Sequence, residues 1–304
     1  MRNFLTYIIA VFIPIALFLG IGEYLVRQVP NPYKYKEEWM EKHQQEVETL
    51  ILGGSQTFYG VKPNLISGKA FNLANVSQGL RYDYFFLKKF YCPNLKTIII
   101  PISYPTMYGR DLEKGKEWYR AIFYKIYMDY PAHSDYSRYN FEFTNFRTFK
   151  GKLTKYFDQS NDYGCDKWGW GNTYLLSKKN LAKWNDGSEA KKAEERHTRR
   201  DWDDALIWAE ENKSFLKEIA EECEKRGIKL VLITTPCWKS YVSLLSKRQM
   251  NNTREIIQQL QNQYHIQYLD YLQDSRFVDS DFYDSNHLSE IGAAKFSRIL
   301  NGDI

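Results

Sequence analysis

Cysteine is scarce. Four stand in 304 residues, Cys92, Cys165, Cys223 and Cys237, with no CxxC pair and no histidine at ligand spacing beside them. That excludes a zinc signature and a dense disulfide framework, and leaves open only an isolated cystine in an oxidising compartment. With 9 proline and 17 glycine, and no repeated or low-complexity tract, collagen-like and solenoid architectures are excluded. Net charge is small too: 42 Lys+Arg against 37 Asp+Glu gives +5, which excludes a dedicated polybasic nucleic-acid binder. Hydrophobic residues at 43% are ordinary globular usage and exclude wholesale disorder. The excess is aromatic, at 16%, with 24 Tyr and 8 Trp.

Charge is missing altogether from Phe4 to Gly22 (FLTYIIAVFIPIALFLGIG), between Arg2 and Glu23. A helix of that length rises about 28 Å, enough to cross a hydrocarbon core. The following IGEYLVRQVP offers no small-x-small cleavage site, so residues 1–29 read as an uncleaved membrane anchor. The stretch is apolar all round, unlike most core helices, and Pro14 kinks such a helix without forbidding it. Arg27, Lys34, Lys36 and Lys42 follow it; counted alone, they place the body on the cytoplasmic side.

The body, residues 30–304, opens on a polar linker, Pro30 to Glu48. Val47 to Leu52, Ala70 to Ala74 and Thr97 to Ile102 read as buried strands, with a helical segment at Tyr82 to Tyr91. The rhythm breaks over residues 107–200, a stretch rich in Tyr, Trp, Phe, Lys and Asn that reads as an insertion. It resumes with an amphipathic helix, Trp202 to Arg226, closed by Gly227, then a strand from Ile228 to Thr234 stopped by Pro236. A helix from about Asn252 to Tyr264, a strand from Ile266 to Leu269 and a helix from Leu288 to Leu300 complete the chain. Strands apolar on both faces and separated by helices predict a three-layer α/β/α sandwich with a mainly parallel sheet, flavodoxin-like.

Such sheets bind ligands beyond the carboxyl ends of their strands, where three features fall. Ser55, in Gly53-Gly54-Ser55, follows the first strand directly, with a hydroxyl to act as nucleophile and an N–H to help bind an oxyanion. Asn75, Ser77, Gln78 and Gly79 form a polar loop after the second strand, a source of further oxyanion donors. Asp284 precedes His287 by three residues, near enough to orient an imidazole. Each feature alone has a plainer reading: a helix cap for Ser55, a connecting loop for residues 75–79, a cap for Asp284. Their order along the chain favours the chemical one.

At these residues the sequence resembles the SGNH/GDSL hydrolase superfamily, whose serine follows strand one and whose Asp-x-x-His precedes the last helix. The likeness runs from about Glu48 to Leu300. GGS stands in place of GDS, and the third block, normally glycine-x-asparagine, reads Pro101-Ile102-Ser103-Tyr104; Ser103 or Asn75 would substitute for the absent asparagine. The anchor makes the chain similar to envelope-glycan O-acyltransferases of the alginate O-acetyltransferase and teichoic acid D-alanylation type. This resemblance implies a Ser55–His287–Asp284 triad without metal or cofactor. It also implies an acylated polysaccharide substrate, a membrane partner delivering the acyl donor, and a body outside the cytoplasmic membrane, periplasmic or at the cell surface, against the Lys/Arg count.

Two other classes remain. A non-catalytic scaffold or glycan-binding subunit would keep the fold with a Ser55 hydroxyl not bonded to His287. A nucleotide binder would use the GGSQT turn, but the chain lacks the GxxxxGK[ST] lysine. Trp118, Trp168, Trp170 and Trp184 either stack on sugars or form the insertion's own core, the latter being the commoner use of such aromatics. No carboxylate spacing singles out His43, His133, His197 or His265, which read as surface or structural histidines.

Overall fold

The computed structural model describes residues 2–110, 112–115, 117–131 and 141–304, so His133 lies outside the described residues. Five strands form a parallel sheet: β1 (Thr49–Ile51), β2 (Ala70–Asn72), β3 (Thr97–Pro101), β4 (Lys229–Thr234) and β5 (Ile266–Asp270), in the order β2-β1-β3-β4-β5. This is the flavodoxin-like 2-1-3-4-5 order, whose switch point lies between β1 and β3. A two-stranded antiparallel ribbon, β6 (Phe282–Asp284) with β7 (His287–Leu288), precedes the last helix, Glu290–Asp303.

Strand alternation divides the core into two layers. Leu50, Ile98, Ile100, Leu230 and Leu232 face one side, where Leu80 and Phe86 of helix Leu80–Lys89 pack with Leu216, Ile219 and Cys223 of helix Trp202–Arg226. Ile51, Ile99, Val231 and Ile233 face the other, against Ala293, Phe296 and Leu300 of the last helix. Helices on both faces give the expected three-layer α/β/α fold. Helix Trp202–Arg226 starts on the Asp201 carboxylate, which accepts from two N–H groups, and ends at Gly227 in the left-handed region.

Residues 30–48, expected as a polar linker, hold a helix packed on the body. Asn31 caps a helix, Pro32–His43, with Pro32 in its first turn, and Tyr33, Lys36, Glu37 and Met40 form a buried face at helical spacing. The high polarity of that segment hid the helix, because two of its buried positions carry charge. The described residues of the 107–200 stretch form several short helices joined by loops. Tyr108, Phe123, Tyr124 and Met128 enter the main core beside Tyr82 and Phe86, so the aromatic excess is largely packing. All four cysteines are free and buried.

One helix, Arg2–Gln28, contains a segment, Ile9–Gln28, long and apolar enough to cross a membrane. It joins the body through Glu23, whose buried carboxylate accepts from the N–H groups of Glu142 and Phe143 at 3.1 and 3.2 Å and pairs with Arg27 at 2.8 Å.

The turn after β1 is tight. Gly53 has φ +101°, and a Cβ there would lie 2.2 Å from Cδ of Pro101 at the end of β3. Gly53→Ala is expected to cost roughly 2–4 kcal/mol through backbone strain plus overpacking. Gly187→Ala, also at positive φ but in open space, is expected to cost about 1 kcal/mol. Thermal unfolding of the two variants checks the difference.

Candidate active site

The Gly53 turn throws Ser55 to the start of helix Ser55–Gly60, beyond the carboxyl end of β1. There it meets His287, 232 positions away in the chain: the Ser55 hydroxyl is 2.8 Å from His287 Nε2. On the other side of the ring, Nδ1–H donates to the Asp284 carboxylate at 2.9 and 3.0 Å. Asp284 and His287 reach each other as a cross-strand pair of the β6–β7 ribbon. Burial raises the Asp284 pKa, but the His287 charge, its hydrogen bond and the N–H groups of Asn286 and His287 outweigh that and hold it below the usual carboxylate range. Such an array can take a proton from Ser55 and stabilise the imidazolium that results.

The ring is held in place by side chains that sequence reasoning missed. Tyr174 meets it edge-on, with centroids 5.1 Å apart, and is itself stacked between Tyr59 and Tyr283. Glu189 accepts from the N–H of Ser285 at 2.8 Å, bracing the turn that carries Asn286. Both Tyr174 and Glu189 come from the 107–200 stretch, which therefore builds the back of the site. No local pattern marks them, since each matters only through a partner about a hundred positions away.

Ser55, Ser77, Gln78, Gly79 and Ser103 all line one cleft of about 680 Å³, with Asn286 and His197 on its walls. Ser77 has φ +62° and donates its hydroxyl to Glu117. Gly79 begins helix Leu80–Lys89, and its N–H, like that of Ser55, has no acceptor among the described residues. Ser103 Oγ lies 3.1 Å from Thr106 Oγ1. Asn75 is different: it is buried, its amide has no partner among the described residues, and it does not line the cleft.

Two buried ionisable groups fix this loop from behind. Asp83 Oδ1 accepts from Gly53 N–H at 2.9 Å and from Gln78 Nε2 at 2.7 Å, tying the turn after β1 to the loop after β2. Its burial pushes its pKa up to about 7. Lys36 donates to the Ala74 carbonyl and lies 4.2 Å from the ring centroid of Phe58 in the Ser55 helix; burial pulls its pKa down to about 7.

The cleft is strongly charged. Arg81, Arg110, Lys114, Lys192, Arg196 and Arg199 line it against Glu117, Glu195 and Glu211. Arg81 pairs with Glu211 and Arg110 with Asp204, whereas Lys114, Lys192 and Arg196 make no ion pair among the described residues. The four named tryptophans stay out of its lining. Trp170 is buried and donates to the Tyr59 carbonyl at 2.7 Å, and Trp184 packs on Trp238. His197 bonds the Tyr241 hydroxyl at 2.7 Å, and burial pushes its pKa down to about 3. His43 and His265 pair with Glu46 and Glu224 at the surface. Among the described residues no group of three His, Cys, Asp or Glu could hold a metal.

No family model and no curated protein matches the chain. Solved structures similar to it include a candidate platelet activating factor from Streptococcus pneumonia, at 11% identity and TM-score 0.45, covering 97% of this chain and 98% of that one. Another is a candidate acylhydrolase from Bacteroides fragilis, at 9% identity and TM-score 0.35, covering 92% of each chain. Similarity at this level says nothing of what the chain acts on; its own geometry has to carry that.

Asp83 gives the site a pH signature. Its folded pKa near 7 exceeds the unfolded value near 4, so the folded state holds the extra proton between them. The Asp83 contribution to stability therefore falls as pH rises through that window, by on the order of 4 kcal/mol, and is level above it, while the depressed His197 adds an opposite contribution below pH 6.5. Asp83→Asn is expected to remove the falling part, so that the melting temperature of wild type minus that of the variant decreases from pH 4.5 to about 7 and is level from there to 8.

Proposed function

We propose that the protein is an SGNH-type serine esterase or O-acyltransferase acting on ester-linked acyl groups of cell-envelope polysaccharide. The observation that carries this reading is the continuous chain Ser55–His287–Asp284, at 2.8 and 2.9 Å, opening on the cleft. His287 takes the Ser55 proton as the oxygen attacks the ester carbonyl, and Asp284 stabilises the charged ring. N–H groups of Ser55 and Gly79 bind the oxyanion, each worth about 3 kcal/mol. His287 then protonates the departing alkoxide, leaving an acyl-serine, which water or a sugar hydroxyl resolves.

The cleft supports the substrate class. A trough of about 680 Å³ lined by arginine, lysine and glutamate suits a hydrophilic glycan better than a long acyl chain, and its surplus of cations suits a glycan bearing acidic groups. The anchor supports a role at the membrane; the resemblance, against the Lys/Arg count, favours a body outside and a membrane partner supplying the acyl donor. The contact between Ser55 and His287 is the opposite of what the scaffold reading expects.

The test is hydrolysis of p-nitrophenyl acetate by the full-length protein in detergent. Ser55→Ala and His287→Ala are each expected to lower kcat by about 10³-fold or more, and Asp284→Asn by somewhat less. Mass spectrometry should find an acyl adduct on Ser55 in the wild type, shortened in lifetime by the preferred glycan acceptor. Turnover indifferent to both alanine variants, with no adduct on Ser55, would overturn the reading.

A further inference from the structure

Helix Phe146–Phe157 (FRTFKGKLTKYF) packs on the end of the anchor helix. Gly22 permits the contact, since a Cβ there would lie 2.6 Å from Phe149 Cζ. Glu23, through Glu142 and Phe143, fixes the turn that leads into the helix. The helix is thereby held where the apolar run of the anchor ends.

Only one edge of it is covered. Phe149 is buried, but Phe146 and Phe157 are 71% and 70% exposed. Eleven positions apart, they stand three turns along one face. Arg147 and Lys150 flank that face, both exposed and without an ion pair among the described residues. Phe18 and Ile21 of the anchor, within a turn of the Gly22 contact, are exposed as well.

We propose that helix Phe146–Phe157 lies in the interface of the same bilayer that the anchor enters. Phe146 and Phe157 sit at the acyl boundary, and Arg147 and Lys150 on headgroup phosphates. Exposed phenylalanines beside unpaired cations are the composition of an interfacial amphipathic helix, and continuity with the anchor selects lipid over a second protein. Two attachments, a spanning helix and a surface helix packed against it, would fix the tilt of the body and so the height of the Ser55 cleft above the membrane.

The test uses the full-length protein, one molecule per nanodisc of phosphatidylethanolamine and phosphatidylglycerol. An environment-sensitive NBD fluorophore is placed by Phe146→Cys, Phe157→Cys, Phe12→Cys or Lys247→Cys in turn, the four native cysteines being buried. Labels at 146 and 157 are expected to emit blue-shifted from the exposed site at 247 and to be quenched severalfold more by shallow than by deep nitroxide lipids. The label at 12 should show the reverse depth preference. Labels at 146 and 157 that match 247, or that shift without lipid quenching as under a protein cover, would overturn the proposal. A label at 12 that escapes quenching would overturn the anchor on which it rests.

Discussion

Everything at the site depends on how closely β1 and β3 approach at their carboxyl ends. Gly53 touches the Pro101 ring, and no side chain fits between them. That contact forces the positive φ, which in turn sends Gly54 and Ser55 out of the sheet and into a helix rather than onward as strand. The Gly53 N–H, freed from the ladder, would be a buried orphan if the Asp83 carboxyl did not accept from it. Because Asp83 also holds Gln78, one buried acid sets the position of both the Ser55 turn and the polar loop facing it. Its burial, a cost to an ionised carboxylate, is tolerable because the neutral form can still accept both bonds.

The other half of the site arrives from the far end of the chain and has no sheet ladder to fix it. The β6–β7 ribbon pairs only a few residues, and a two-stranded ribbon is marginal alone. Its support is lateral: Tyr174 against the His287 ring, Glu189 on Ser285 N–H, and Trp238 N–H donating to the Ser285 carbonyl at 2.8 Å. Glu290 extends the bracing by accepting from Leu176 N–H at 2.6 Å. Part of the 107–200 stretch is therefore a buttress: the flat ring of Tyr174 pins the imidazole without adding charge beside it, while aromatics such as Tyr108, Phe123 and Tyr124 pack into the main core.

The parts of this arrangement visible in the sequence are those written locally. Runs such as Thr97 to Pro101 are apolar at nearly every position because both sheet faces are covered, and Gly53-Gly54-Ser55 and Asp284-x-x-His287 are short enough to read directly. The helix Pro32–His43 was not visible, because a fully buried lysine and a buried glutamate make its inner face look solvated. Lys36 is there to satisfy the Ala74 carbonyl, a need that arises only in the folded chain. Tyr174, Glu189 and the cations of the cleft were hidden for the same reason: their meaning is a distance, and spacing along the chain does not encode it.

In the proposed reaction, which donors meet the oxyanion follows from where the polar groups of the loop point. Asn75 is adjacent in sequence, yet its N–H is spent on the Gly53 carbonyl at 3.1 Å and its amide is enclosed away from the cleft. Ser103 does face the cleft at the end of β3, where an asparagine would stand in the SGNH pattern, but its shorter side chain is engaged with Thr106. Among the described residues the backbone N–H groups of Ser55 and Gly79 face the cleft without an acceptor, as do those of Gly54, Ser77 and Ser103. Backbone donors cannot rotate away, so two of them fixed by the Gly53–Asp83–Gln78 ties are preorganised, which is what gives such donors their value in a transition state.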